Sequence, residues 1–592
     1  MNRFLFAFIL TVSVYGMAAA QIPTPTPLPT PTPLETPLPA VDDKQEVTPD
    51  KLQGVPAIAP NYSSEDRSLP DLGRVGVDMA DQRSLTLNEA ITLALENNKD
   101  IEVTRKNVKI AEFDLLAARG VYEPRFRGQT YYERATIPNI SFFTPDDDKV
   151  TTSSFVGNAS FTAYVPKFGT TLEATLNNQR VGTDNLVTII SPQYNSSFGV
   201  TLTQPLLRGR GFDQNRRVIE IAKRNLSLTD VQFRQRSIEI IAAVQRSYWD
   251  LTYALRNLQV QRDGVKDAKD QLAHNRRLVE EGQLAPIDII AAETQVANFE
   301  QTVYEALNSV TQAENALKNL IAPNRNDSLW SESVTPIDPV DLDAPTTTLT
   351  EALDAALLNR PELEINQAQK DINAIDQRFF KEQKKPQVDL IASYTSSGVG
   401  GSLNPNFTNP LLRNCVTDPT LPECIAAQQA QQRLLQNVGG AATSFTDIFA
   451  NKYPTFRVGV QFNLPLFGDK TARAQYGRSL VEGERLGTQR EQLEQNIQVD
   501  VRNALQTLRT AEARLRAAAI SRENSVKQYE SEQRKLDNGQ SDIYRVLERQ
   551  TALTTARSNE LRAQTELNKA ISDLQRATGN SLKANNVVSL LK

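Results

Sequence analysis

Residues 251–286 read LTYALRNLQVQRDGVKDAKDQLAHNRRLVEEGQLAP. Leu251, Leu258, Val265, Leu272 and Val279 recur at every seventh position, and helix-forming residues extend the run back to 216. A strict seven-residue apolar repeat holds one seam of a helix against a partner and winds the pair into a left-handed coiled coil. The run stops at Gly282 and Pro286, and a second series follows at Ile289, Val296, Val303, Val310 and Leu317. A long helix therefore runs out, turns at a glycine and comes back. Roughly 65 residues at 1.5 Å each make a rod of about 100 Å. A globular core needs nothing so long, so the length itself is expected to be functional.

The pattern occurs twice. Leu508, Leu515, Arg522, Tyr529 and Leu536 lie 257 positions after the first series, and Gly539-Gln540 lies 257 after Gly282-Gln283. Val546, Leu553, Glu560, Leu567 and Leu574 complete the second return. Upstream, Leu87-Asn88-Glu89-Ala90 reappears as Leu349-Thr350-Glu351-Ala352, and Thr86 with Glu89 reads as a capping box. An internal duplication of this size decides the architecture. The expected layout is a first repeat over 84–321, a Pro- and Asp-rich linker over 322–346, a second repeat over 347–580 and a tail over 581–592.

Between Pro124 and Pro205, and again between Pro386 and Pro465, the period changes to two. Phe198, Val200 and Leu202 alternate with polar neighbours, as do Val388, Leu390, Ala392 and Tyr394, and Phe456, Val458, Val460 and Phe462. One apolar and one polar face over nine to ten residues is what a strand needs with lipid on one side and water on the other. It equally fits an ordinary half-buried antiparallel strand. The β segments are read as 125–205 and 387–465. The first holds an additional hairpin, 155–165 and 171–179; the second holds a long loop, about 397–452, with a Gln-rich stretch over 426–436.

The chain has 592 residues, 23% of them charged, and a formal net charge of −5, which offers no basic footprint for nucleic acid. Residues 1–20 read as a secretory signal peptide: Arg3, an apolar run over 4–14, then Ala18-Ala19-Ala20. A Pro-Thr-rich extension over 21–83 is expected to be poorly ordered. The cysteines, Cys415 and Cys424, sit in an exported Pro-containing loop and suggest a local disulfide. No later stretch approaches 18 continuous apolar residues, so entry into a membrane would have to be by strands. The single histidine, His274, serves no catalytic constellation, and Gly468-Asp469-Lys470-Thr471 lacks the second glycine of a phosphate-binding loop. Asp146-Asp147-Asp148 reads as a charged loop. No cofactor or metal site is expected, and no enzyme.

Short helix, long helix, β segment, very long helix, glycine turn and returning helix, twice over in an exported chain, resemble the TolC-like outer membrane efflux protein family. The resemblance covers roughly 84–580. It implies a mainly α fold with β. Duplicated coiled-coil hairpins would form a periplasmic α-barrel, and the strands would contribute to a β-barrel shared by a homotrimer in the outer membrane of a Gram-negative bacterium. It further implies a passive channel for efflux or type I secretion, served by a periplasmic adaptor (a membrane fusion protein) and an inner-membrane pump of RND, ABC or MFS type.

The resemblance also points to the two tips. In the family a tip glycine is followed six positions later by Asp. Asp288 follows Gly282 at that spacing, but Arg545 follows Gly539, with Glu548 three positions on. The expectation is that Asp288 pairs with Arg545 and that Glu548 lines a constriction, where like charges would select cations. Leu278, Gly282, Gln283, Leu536, Gly539 and Gln540 are the expected adaptor-docking residues. The alternative is a non-channel coiled-coil protein, structural or adhesive, of the cell envelope; a secreted enzyme or binding protein would need a site that no residue cluster supplies.

Overall fold

A computed structural model of the chain describes residues 73–139, 148–407, 420–437, 439–465 and 468–587. The expected signal peptide, most of the Pro-Thr-rich extension, Asp146, Asp147 and Cys415 lie outside the described residues. A strand β1 (Asp78–Leu85) leads into helices α1 (Leu87–Asn97) and α2 (Lys99–Arg119). Four strands follow: β2 (Arg125–Pro138), β3 (Lys149–Val165), β4 (Thr170–Thr183) and β5 (Ile190–Pro205). The first hairpin of long helices is α3 (Gln214–Glu280) and α4 (Pro286–Ile321). After β6 (Glu332–Pro336) the order resumes with α5 (Leu349–Asn359), α6 (Pro361–Gln383) and β7 (Gln387–Leu403). Then come α7 (Pro422–Asn437), α8 (Ala441–Phe449), β8 (Tyr453–Asn463), α9 (Lys470–Asp537), α10 (Ile543–Ala577) and a last short helix, α11 (Ser581–Ala584).

The duplicated sequence words carry duplicated local chemistry. Both long rods open on an aspartate N-cap: Asp213 accepts from the Arg216 N–H at 2.8 Å and Asp469 from the Ala472 N–H at 2.9 Å. At α5 the capping box is complete, since Thr348 and Glu351 each accept from the other's backbone N–H. At α1 only the Thr86 half forms, and Glu89 lies 3.7 Å from Arg83 instead. α3 has 67 residues and α9 has 68, so each rod is about 100 Å long.

The seven-residue series are the buried seams. Leu251, Val310 and Leu317 are fully buried in one core, and Leu508, Leu567 and Leu574 occupy the equivalent places in another. Two members of the second series are charged. Arg522 and Glu560 stand where the first hairpin has Val265 and Val303, and they form an ion pair at 2.6 Å across α9 and α10.

All six strands from β2 to β8, β6 aside, form one antiparallel sheet in the order β2-β3-β4-β5-β7-β8. The additional hairpin of the first β segment is therefore part of the sheet, lying between β2 and β5. Register gives the sheet two opposed faces. One row across all six strands is Phe126, Phe161, Ala174, Val200, Tyr394 and Phe456; the adjacent row, facing the other way, is Arg125, Thr162, Glu173, Thr201, Ser393 and Arg457. Much of the apolar face is bare: Phe126, Phe456 and Phe462 are 75%, 73% and 68% exposed. An uncovered apolar face of this extent belongs against lipid or another protein surface, not water.

The sequence pattern placed the start of ordered structure too late. The extension was expected to be poorly ordered to 83, yet β1 pairs in parallel with β6, and Arg74 reaches a buried carboxylate. Arg74 contacts Glu314 on α4 at 2.7 Å, Lys318 lies 3.4 Å from the other Glu314 oxygen, and the Val334 N–H of β6 donates to that same oxygen at 2.8 Å. Arg74, Glu314 and Lys318 are all buried. Burial pushes the Lys318 ammonium below its usual range. The strand pair is thus clamped to the returning helix.

In the long loop of the second β segment, the Gln-rich stretch forms α7, and the buried Cys424 at its start is disulfide-bonded. Among the described residues no helix is long and apolar enough to cross a membrane.

Candidate functional site at the helix tips

Each rod ends on a glycine with left-handed backbone, Gly282 at φ +74° and Gly539 at φ +68°, a conformation other residues adopt only with strain. The Gly282 N–H donates to the Val279 carbonyl and the Gln283 N–H to that of Leu278, at 3.0 and 2.8 Å. The Gly539 N–H donates to the Leu536 carbonyl and the Gln540 N–H to that of Lys535, at 2.9 and 2.8 Å. These paired bonds are a Schellman cap, made identically at both tips. Gly282, Gln283, Gly539 and Gln540 are exposed, and Leu278 is half-buried.

Leu536 is a correction. It was expected on the docking surface, but it is buried with Ile543, Val546 and Leu547 in a small core that closes the second tip. It belongs to the seven-residue series, whose inward seam continues to the last turn.

The tips differ in how the returning helix is capped. At the first, the N-cap residue is Ala285, which has no acceptor of its own. The acid sits in the first turn instead, and Asp288 reaches back to accept from the Ala285 N–H at 3.0 Å. At the second, Asp542 is itself the N-cap and accepts from the Arg545 N–H at 3.0 Å. An acid at either place satisfies an orphan donor and complements the positive end of the helix dipole. The opposite charges at 288 and 545 thus reflect an acid moved by three positions. Asp542 immediately before an apolar helical turn was the sequence signal for it.

Among the described residues, no ion pair joins Asp288 to Arg545 within the chain. The Arg545 guanidinium lies 3.4 Å from Asp542, with both side chains largely exposed. Glu548 is also exposed and lines a groove between α4 and α10 with Ile287, Ile290, Ala291, Tyr544 and Thr551. Ile287, Ile290 and Tyr544 are more than half exposed, an apolar patch that the sequence reading passed over. Just before the second tip, Ser541 donates to Glu532, and Lys535 lies 3.1 Å from it. These two bonds hold the Glu532 carboxyl below its usual range. His274 is half-buried and lies 3.2 Å from Asp537, linking α3 to α9.

The sequence profile described as outer membrane efflux protein matches residues 158–322 and 352–580, more than half of the chain. The chain also resembles solved structures at low sequence identity. The Campylobacter jejuni CmeC outer membrane channel superposes with a TM-score of 0.57 at 14% identity, over 88% of this chain and 94% of that one. The open-state Neisseria gonorrhoeae MtrE outer membrane channel gives 0.54 at 17%, over 87% and 94%. The outer membrane protein VceC from Vibrio cholerae gives 0.55 at 12%, over 83% and 96%. No protein with a curated description matches.

Proposed function

The chain belongs to the outer membrane efflux protein family, and from that premise we propose that it acts as a passive exit duct, closed at its helix tips and opened by partners. It is an outer-membrane efflux channel whose helices reach into the periplasm, of a family of channels that work with adaptor and pump partners. The observation that carries the proposal is the six-stranded sheet with one apolar and one polar face, joined to two helical rods of about 100 Å. A purely structural coiled coil has no use for such a sheet.

One sheet of six strands leaves β2 and β8 as edges, and open edges do not face lipid. The number of strands is even, so β8 of one copy can run antiparallel to β2 of the next and close a ring. A homotrimer closed in this way is the proposed assembly. The energy for transport would come from an inner-membrane pump, and the adaptor would dock at Leu278, Gly282, Gln283, Gly539 and Gln540 together with the groove at Ile287, Ile290 and Tyr544. The adaptor can open the tips only by preferring the open form.

Asp288, Arg545 and Glu548 are the proposed charges of the closed end. Single-channel recordings of Asp288→Ala, Arg545→Ala and Glu548→Ala should show raised closed-state conductance or altered cation selectivity. Wild-type behaviour in all three removes them from the gate. Co-purification with an adaptor and a pump tests the larger reading, and a soluble periplasmic monomer would overturn it.

A further inference from the structure

The nine-residue helix α8 buries Ile448 together with two polar residues and turns its two phenyl rings outward. Its polar residues Ser444 and Asp447 are buried against the sheet, while Phe445 and Phe449 point away, Phe449 being 89% exposed. Ala441, Ala442, Thr446 and Ala450 complete an exposed side without a charge. The one acid, Asp447, lies 3.5 Å from Lys452.

The seat of α8 is built for close approach. The Ser196 and Ser444 hydroxyls are 2.9 Å apart, and the Ser396 hydroxyl donates to the Ile448 carbonyl at 2.8 Å. A Cβ on Gly398 would stand 1.9 Å from the Ser444 carbonyl oxygen, and one on Gly400 would stand 2.4 Å from that of Gly440. By register, Ser196, Ser396, Gly398 and Gly400 are on the same face as Val200 and Tyr394, the apolar one. They lie at the strand ends farthest from the long helices.

Height explains why a helix is needed there. On β7 the apolar run Val388–Tyr394 covers six residue steps, about 20 Å along a strand and about 15 Å along the membrane normal at the usual tilt. Outer-membrane barrels carry an apolar band of about 25 Å. Beyond Tyr394 the same face of β7 is Ser396, Gly398 and Gly400. On the other side of the sheet the band continues. Tyr132 and Phe155 are exposed in the row that runs through Arg180 and Tyr194 to Gly400. On β7 that tier is missing, with Gly398 and Gly400 in its place, and on β5 Ser196 lies beneath Tyr194; α8 is seated on these small residues with its phenyl rings outward.

We propose that α8 is a lipid-contacting helix that completes the barrel's apolar belt at its outer rim, with Phe445 and Phe449 among the acyl chains. The occupant is the membrane, by continuity with the lipid-facing rows beside it. A second copy paired at the β8 edge would lie beyond β8, whereas α8 sits inboard of it. The inference rests on the outer-membrane barrel reading given above.

The test is tryptophan quenching in full-length protein reconstituted into vesicles, against the background of Trp249 and Trp330. Phe449→Trp should emit to the blue of free indole, lose at least half as much intensity to brominated acyl chains as Val458→Trp, and be insensitive to aqueous iodide. Phe445→Trp provides the same readout if the first variant fails to assemble. Quenching by iodide without quenching by brominated lipid, or shielding from both, overturns the proposal while Val458→Trp remains lipid-quenched. If Val458→Trp also escapes brominated lipid, the barrel reading fails and the inference fails with it.

Discussion

At the scale of single residues, the carboxylate of Glu314 is the most consequential group away from the tips. It is fully buried, accepts from Arg74 and from the backbone of Val334, and lies 3.4 Å from the Lys318 ammonium. Removing the charge leaves two buried cations without their counter-ion, a loss that typically costs about 3–5 kcal/mol. Glu314→Gln should therefore lower the melting temperature markedly and expose β1 and β6 to proteolysis, while the long helices persist by circular dichroism. Nothing in the sequence near Glu314 marks it out, because its partner Arg74 lies 240 positions away in a stretch that reads as a polar linker. The tip residues were more legible. Gly282 and Gly539 stand out because a left-handed cap favours glycine, and the return to helix within a few residues needs an acid close by. Reading only the six-residue spacing hid Asp542, and exposure could not be assigned to Leu536 without knowing how far the apolar seam runs.

At the scale of elements, hairpin one and hairpin two are natural substitutions of each other. Val265 and Val303 in the first correspond to the Arg522–Glu560 pair in the second. Replacing one member leaves a partly buried charge unpaired. Arg522→Val or Glu560→Val alone should cost about 1–2 kcal/mol, reduced from the fully buried case because Arg522 is 39% exposed. The double variant should return to within about 1 kcal/mol of the parent, as thermal melts of all three would show. The second tip carries its own pH dependence. Glu532 has its folded carboxyl below the ordinary 4.5, so the folded form binds fewer protons than the unfolded one in the window between. Its contribution is complete above the ordinary value and is lost as pH falls through the lowered one. Amide exchange at 539–542, corrected for intrinsic rate, should be flat from neutral pH down to the ordinary value and rise below it. Ser541→Ala should leave that onset in place and shrink the rise, because the folded carboxyl moves back toward its ordinary value. The long helices and the alternating strands were readable because their periods repeat many times. β1 was not, since Asp-Met-Ala-Asp-Gln-Arg-Ser-Leu has no alternation and its pairing is with a strand far along the chain. α8 was hidden for the opposite reason, because its polarity follows the membrane and the sheet, not water.

At the scale of the whole molecule, the strand count sets the pore. Three copies of a six-stranded sheet would close a barrel of 18 strands, in the range where barrels leave an aqueous channel. Electron microscopy of the reconstituted assembly should count that number. A barrel with only four strands from each chain would mean that β3 and β4 project from it. Deleting residues 149–183 joins β2 to β5, which also run in opposite directions, so the smaller sheet can still close, with a narrower pore. The consequence reaches beyond this chain. A hairpin enters and leaves a sheet at the same end, so adding or removing one alters the circumference without touching the helices. In the proposed barrel, reach across the periplasm would be fixed by α3 and α9, and bore at the surface by how many hairpins lie between the prolines. The two are separate dials on one gene, and descent can turn either one by itself.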